Sequence, residues 1–250
     1  MRRFAALLSV VVAAGCGGSS AGDAPRLTVS AATSLKAPLA EYGAGFEDAT
    51  VRFSFAGSDE LAAQIRQGAK PDVFASATTQ LPDRLYAEGK VEKPQVFAGN
   101  RLVLAVPADS AKVGSLDDLA RPGVRIAAGA AAVPVGAYTR EVLARLPAAE
   151  RRAIEANIRS SEPDVGGVVG KLTQGAVDAG FVYVTDVVAA GDRLRPIALP
   201  EALRPTVAYG VAVVKGAREP AAARAFVAGL LDGRGEAALR EAGFEPPPTV

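Results

Sequence analysis

Four times in this chain a strand or loop feeds a helix through small or hydroxyl residues. The first junction reads Ser30, Ala31, Ala32, Thr33, Ser34, Leu35. The second reads Phe53, Ser54, Phe55, Ala56, Gly57, Ser58, Asp59. The third is Ala132, Val133, Pro134, Val135, Gly136, and the fourth is Glu162, Pro163, Asp164, Val165, Gly166, Gly167. A helix start leaves several backbone N–H groups without partners inside the helix, with the positive end of the dipole behind them. Such a start can bind an anion. A hydroxyl at the junction can turn to a ligand or simply cap its own helix, and Ser and Asp are favoured caps everywhere. Glycines at these places allow close approach to the backbone, or serve loop geometry alone.

Three further side chains bear on the same chemistry. Tyr183 sits near the end of a buried-looking strand, in Phe181, Val182, Tyr183, Val184, Thr185, Asp186, and strand ends of α/β sheets commonly face ligands. Its phenol can donate to an oxyanion or satisfy a carbonyl in the core. Lys36 reads as a solvated first-turn lysine. Asp59 either accepts a proton from hydrogen phosphate or is simply an acid favoured by its own helix dipole, the plainer reading.

Composition removes most catalytic alternatives. The chain has 250 residues and no histidine, so the commonest general base and transition-metal ligand are missing. Its single cysteine, Cys16, lies near the N-terminus, so no disulfide, zinc site or Cys–His pair can be built. A serine hydrolase built on Ser34 or Ser58 lacks an activating base, and no Ser-x-x-Lys follows either serine. The chain is expected to have no enzymatic activity, no cofactor and no direct metal-ion ligand. Net charge is +1, with no basic block, which argues against nucleic acid.

The elements that must position these junctions follow from the hydropathy pattern. Strands are expected over 26–30, 51–55, 72–76, 102–106, 124–127, 179–184, 195–199 and 208–214. Helices are expected over 35–47, 59–67, 81–88, 136–146, 148–157, 165–174, 186–190, 220–232 and 235–242. Alternating strand and helix implies βαβ units and mainly parallel sheets in an α/β fold. Gly68, Gly175 and Gly233 stand just past helix ends, and Pro134 and Pro220 suit first-turn positions. Segments 102–106 and 208–214 are either two more strands of one sheet or a pair of hinge strands joining two lobes.

The N-terminus reads as an export address over residues 1–15. Arg2 and Arg3 precede an apolar run over 4–12, and Ala13, Ala14, Gly15 and Cys16 follow. The run is too short to span a bilayer. A lone cysteine after small residues resembles a bacterial lipobox, which implies lipidation of Cys16, with 16–25 as its tether. Ordinary cleavage near Ala14 is the alternative. A cut after residue 15 removes two arginines and no acid, turning the net charge from +1 to −1.

The junctions, in their order and spacing, resemble those of the periplasmic molybdate-binding protein family, which has the type 2 solute-binding fold. The likeness runs from about Leu27 to Phe244. It includes Ala31, Ala32, Thr33, Ser34, Leu35; Ser54 through Ser58 with Leu61, Ala62, Ala63, Gln64, Ile65; and Gly68, Ala69, Lys70, Pro71, Asp72, Val73, Phe74. It continues through Gly99, Asn100, Arg101, Leu102; Val133, Pro134, Val135, Gly136, Ala137, Tyr138; Asp164, Val165; Val182, Tyr183 with Asp186; and Ala242, Gly243, Phe244. The resemblance implies two lobes joined by two hinge strands: 26–101 plus 215–250, and 102–214 including the hinge strands.

It also implies an exported, monomeric binding protein that captures molybdate or tungstate and delivers it to an ABC permease and its ATPase. Such a protein meets the membrane only through a lipid anchor and faces the periplasm or cell exterior. Carried over residue by residue, it places oxyanion contacts on Ser34 and Ser58, on the amides of Val135 and Val165, and on the phenol of Tyr183. Gly57 departs from a frequent serine, Val135 from a frequent alanine, and Asp59 from a frequent small uncharged residue, so the resemblance implies that the Asp59 carboxylate points outward. Rivals are the same module for sulfate or phosphate, a serine hydrolase, and an intracellular oxyanion sensor.

Overall fold

The computed structural model describes residues 25–249. The expected leader, Cys16 and most of the tether lie outside the described residues. Among the described residues, ten strands form two five-stranded sheets. The first sheet has the order β2-β1-β3-β10-β4, with β1 at Arg26–Ala32, β2 at Thr50–Ala56, β3 at Val73–Ser76, β4 at Gln95–Asn100 and β10 at Val207–Val213. The second has the order β7-β6-β8-β5-β9, with β5 at Leu102–Pro107, β6 at Ile126–Gly129, β7 at Ile158–Glu162, β8 at Ala179–Tyr183 and β9 at Leu194–Ala198.

Both sheets are mixed rather than mainly parallel. In the first, β1 runs parallel to β2 and β3, while β10 runs antiparallel to β3 and β4. In the second, β6 runs parallel to β7 and β8, while β5 runs antiparallel to β8 and β9. The antiparallel strands come from the crossings. The chain leaves the first sheet at Arg101, between β4 and β5, and returns between β9 and β10. The expected division placed 208–214 with the second lobe, but β10 hydrogen-bonds β3 and β4 and so belongs to the first sheet. β5 and β10 are therefore core strands of different sheets and do not pair with each other.

The helices match the expected nine, within a few residues at their ends. They are α1 at Lys36–Ala44, α2 at Ser58–Arg66, α3 at Gln80–Ala87, α4 at Pro134–Ala144, α5 at Ala148–Ala156, α6 at Val165–Thr173, α7 at Val184–Ala190, α8 at Pro220–Leu231 and α9 at Arg234–Glu241. Pro134 and Pro220 open α4 and α8. Gly68, Gly175 and Gly233 take positive φ after α2, α6 and α8. The central strands β3, β6 and β8 are buried along their whole length, as apolar runs between helical layers should be. No helix among the described residues is long and apolar enough to cross a membrane.

One buried carboxylate ties the first lobe together. Asp72, just before β3, accepts from the Thr28 N–H and the Thr28 hydroxyl, each at 2.7 Å. It also accepts from the N–H groups of Arg218 at 2.6 Å and Glu219 at 3.1 Å, where α8 begins. Burial alone would raise its pKa, but these four donors outweigh burial and hold it below the ordinary carboxylate range. Removing the acceptor strands four donors from two segments at once, in β1 and at the start of α8. Asp72→Ala is expected to lower stability by about 3 kcal/mol, seen as a lower urea midpoint with an unchanged slope. An unchanged midpoint would show that the clamp is dispensable.

Candidate functional site

Three full helices start against one small cavity between the two sheets. A short 3-10 turn, Thr33–Leu35, leads from β1 into α1 on the same wall. Its free space is about 20 Å³, a little more than one water centre requires. A larger, mostly apolar groove of about 600 Å³ lies beside it, against α1 and α7. The groove shares only Thr33 and Ser34 with the small cavity; the small cavity is the one that brings the tips of α2, α4 and α6 together with the buried hydroxyls of Ser58 and Tyr183, so it is the candidate site.

Ser34, Ser58, Val135, Val165 and Tyr183 all line this cavity. At α2 the first intrahelical bond is Leu61 N–H to the Gly57 carbonyl, so the amides of Ser58, Asp59 and Glu60 have no partner within the helix. At α4, Ala137 N–H bonds the Val133 carbonyl, and Pro134 has no N–H, so the Val135 and Gly136 amides are left over. At α6, the Asp164 carboxylate caps the Gly167 N–H at 3.0 Å, leaving the Val165 and Gly166 amides at the tip.

The hydroxyls carry protons to spare. Ser58 is fully buried and its Oγ accepts from the Ala77 N–H at 3.1 Å, so its own O–H is free to donate. The Tyr183 phenol is buried and has no hydrogen-bond partner, and neither has the Thr33 hydroxyl. Burial, then Tyr209, Tyr138 and Asp186, push the Tyr183 pKa well above its ordinary value, so it stays protonated. Buried orphan donors are rare in native proteins and call for a partner. Thr33 went unassigned in the sequence because its neighbour Ser34 took the role by motif. The signal present was a second hydroxyl in the same Ala-Ala-Thr-Ser run.

No lysine or arginine lines the cavity among the described residues. Lys36 is exposed and borders the larger groove instead. The only charged lining group, Asp164, is engaged as a cap. Asp59 differs from expectation. One of its carboxylate oxygens is buried without a partner rather than pointing outward, close to Gly57. Its place in the first turn of α2 draws it toward the unpaired helix amides.

The lobes touch across this cleft. A Cβ added to Gly57 would lie 2.6 Å from the Pro163 carbonyl and 3.1 Å from a Val133 methyl. A Cβ added to Gly166 would meet the Thr33 methyl at 2.8 Å. This explains the glycine at position 57: the second lobe's backbone occupies the space a side chain would need.

The chain matches the model of the bacterial extracellular solute-binding protein family over residues 27–245. It belongs to that family. A molybdate-binding protein ModA of Mycobacterium tuberculosis is 35% identical, covering 96% of this chain and 97% of that protein. Among solved structures, the periplasmic molybdate-binding protein of Azotobacter vinelandii superposes with a TM-score of 0.80 at 25% identity, covering 89% of this chain and all of that one. The substrate-binding domain of a putative molybdenum ABC transporter from Clostridium difficile is 30% identical with a TM-score of 0.66, covering 89% of this chain and 99% of that one. The fold is that of the type 2 periplasmic binding proteins.

Behind the cavity, Asp186 is buried and accepts from the Tyr183 N–H at 2.8 Å. Burial pushes its carboxyl up; the Tyr183 N–H opposes this and the Asp164 charge adds to it, giving a value of about 7. A carboxyl raised in the folded state holds its proton more tightly than in the unfolded chain, where it titrates near about 4. Its contribution is therefore largest below that value and is lost as pH rises toward 7. Asp186→Asn keeps an acceptor for Tyr183 and removes the titration. Its unfolding free energy is expected to fall less than that of the parent between pH 5 and 7.5, the gap widening to a few kcal/mol at most and showing as a smaller drop in melting temperature. Parallel curves would contradict a raised Asp186.

Proposed function

We propose that this chain is the exported binding protein of an ABC importer and captures molybdate or tungstate in the small interlobe cavity. The observation that carries the reading is a buried cavity rich in unpaired donors and free of cations. A tetrahedral dianion without a proton satisfies all of those donors at once. Near-full-length identity to molybdate-binding proteins supports the same ligand.

On this reading the hydroxyls of Thr33, Ser34, Ser58 and Tyr183 and the amides of Val135 and Val165 hold the four oxyanion oxygens. Charge-assisted bonds of this kind strengthen in a dry site. Two lobes, 26–100 with 207–249 and 102–198, close over the ligand by bending at the crossings near Arg101 and at 199–206. The Gly57 and Gly166 approaches set how far closure goes. The closed monomer then docks on a permease driven by an ATPase. Cys16 carries the lipid that holds it at the outer face of the cell membrane, and no step of covalent catalysis is involved. The absence of histidine to activate Ser34 or Ser58 supports binding without turnover.

The test is thermal unfolding of the mature protein with molybdate, tungstate, sulfate or phosphate at equal excess. A ligand at a hundred times its dissociation constant adds about 2.7 kcal/mol, which corresponds to roughly 5–10 °C for a chain of this size. Molybdate and tungstate are expected to produce that shift, sulfate and phosphate far less, and Tyr183→Phe should shrink it. A shift with sulfate or phosphate alone would overturn the ligand and keep the transport role.

A further inference from the structure

A chain of buried hydrogen bonds runs from the second lobe, through the crossing between the sheets, to Ser34. Its members are Thr185 in α7, Asn100 at the end of β4, Tyr209 in β10 and Ser34. Thr185 and Asn100 are each 4% exposed and Tyr209 is fully buried, so water does not compete for their protons.

The direction of each bond follows from donor counting. The Arg101 N–H can only donate, and it lies 2.8 Å from one end of the Asn100 amide, which must be the carbonyl oxygen. The NH₂ end therefore faces Thr185 Oγ1 at 2.9 Å and Tyr209 Oη at 3.4 Å, and both its protons are used. Tyr209 oxygen is then an acceptor. Its own proton has one acceptor within reach, Ser34 Oγ at 3.0 Å. Burial and the nearby Asp186 keep that phenol protonated. The reverse arrangement, with Ser34 donating to Tyr209, would strand the Tyr209 proton in a dry interior. Ser34 is left as an acceptor from Tyr209 with its own O–H free for the cavity it lines. The ladder between β10 and β4 also shifts register between Tyr209 and Gly210, an irregularity of the kind that re-aims a side chain beside a site.

We infer that Tyr209 and Asn100 are positioning residues that lock the Ser34 hydroxyl with its proton toward the bound oxyanion. The inference rests on the reading of the cavity as an oxyanion site. The lock has a consequence for selection. Molybdate offers only acceptors. Hydrogen phosphate must also donate one proton, and a hydroxyl already accepting from Tyr209 is a poor recipient. Of the two carboxylates around the site, Asp59 does not line the cavity, and Asp164, which does, is engaged at Oδ1 as the cap of the Gly167 N–H.

The experiment is a double-mutant cycle on Ser34→Ala and Tyr209→Phe, with molybdate and phosphate affinities measured by titration calorimetry at neutral pH. Anion-free melting temperatures check that each variant folds. Each single variant is expected to bind molybdate about tenfold more weakly. The double variant should lose little more than either alone, because the two residues act as one unit. In Tyr209→Phe, Ser34 is free to turn, so the preference for molybdate over phosphate should narrow; a purely structural role for Tyr209 would leave that ratio unmoved. If Tyr209→Phe does not fold, Asn100→Ser runs the same cycle against Ser34→Ala. Losses that add in full, or a Tyr209→Phe variant with unchanged affinity and preference, would overturn the lock and leave the oxyanion site standing. A Ser34→Ala variant with undiminished molybdate binding would overturn the contact on which the lock depends.

Discussion

A dianion leaves water only where every lost hydrogen bond is replaced. In this chain the replacement comes from backbone amides and hydroxyls rather than from a cation. Amides at helix starts cannot turn to accept, and they bring no desolvation cost of a buried charge. Such a site needs several helix starts and several hydroxyl protons aimed at one point. That need explains why two sheets, rather than one, converge here.

The fold meets the need by sending the chain out and back. The first sheet contributes the 3-10 turn at Thr33–Leu35 and the start of α2, and the second contributes the starts of α4 and α6 and the phenol at the end of β8. Tyr183 sits between Tyr138 and Tyr209, with ring centroids 6.5 Å and 5.9 Å away. Tyr209 belongs to β10 of the first sheet, Tyr183 to β8 of the second and Tyr138 to α4 of the second lobe, so one aromatic cluster spans the lobes beside the cavity. The lack of a side chain at Gly57 and Gly166 lets the lobes meet.

Much of this was legible in the sequence. All nine helices and eight of the strands follow from hydropathy and end signals, and the cavity residues from motif order. The two strands that were not expected, β4 and β7, are edge strands. β7 reads Ile-Arg-Ser-Ser-Glu and alternates half-buried with exposed positions, so it lacks an apolar run. The placement of β10 required pairing partners that periodicity does not specify. Thr33, Tyr209 and Asn100 lay inside quoted or apolar stretches, but their roles depend on which hydroxyl already has a partner.

The most direct measurement is a crystal structure of the mature protein with tungstate bound, whose strong scattering locates the anion. The account predicts the metal oxyanion in the small cavity, its oxygens about 2.5–3.0 Å from the hydroxyls of Ser58 and Tyr183 and within hydrogen-bond reach of the Val135 and Val165 amides, with no lysine or arginine in contact. Tungstate seated in the larger groove, or held by a cationic side chain, would contradict it.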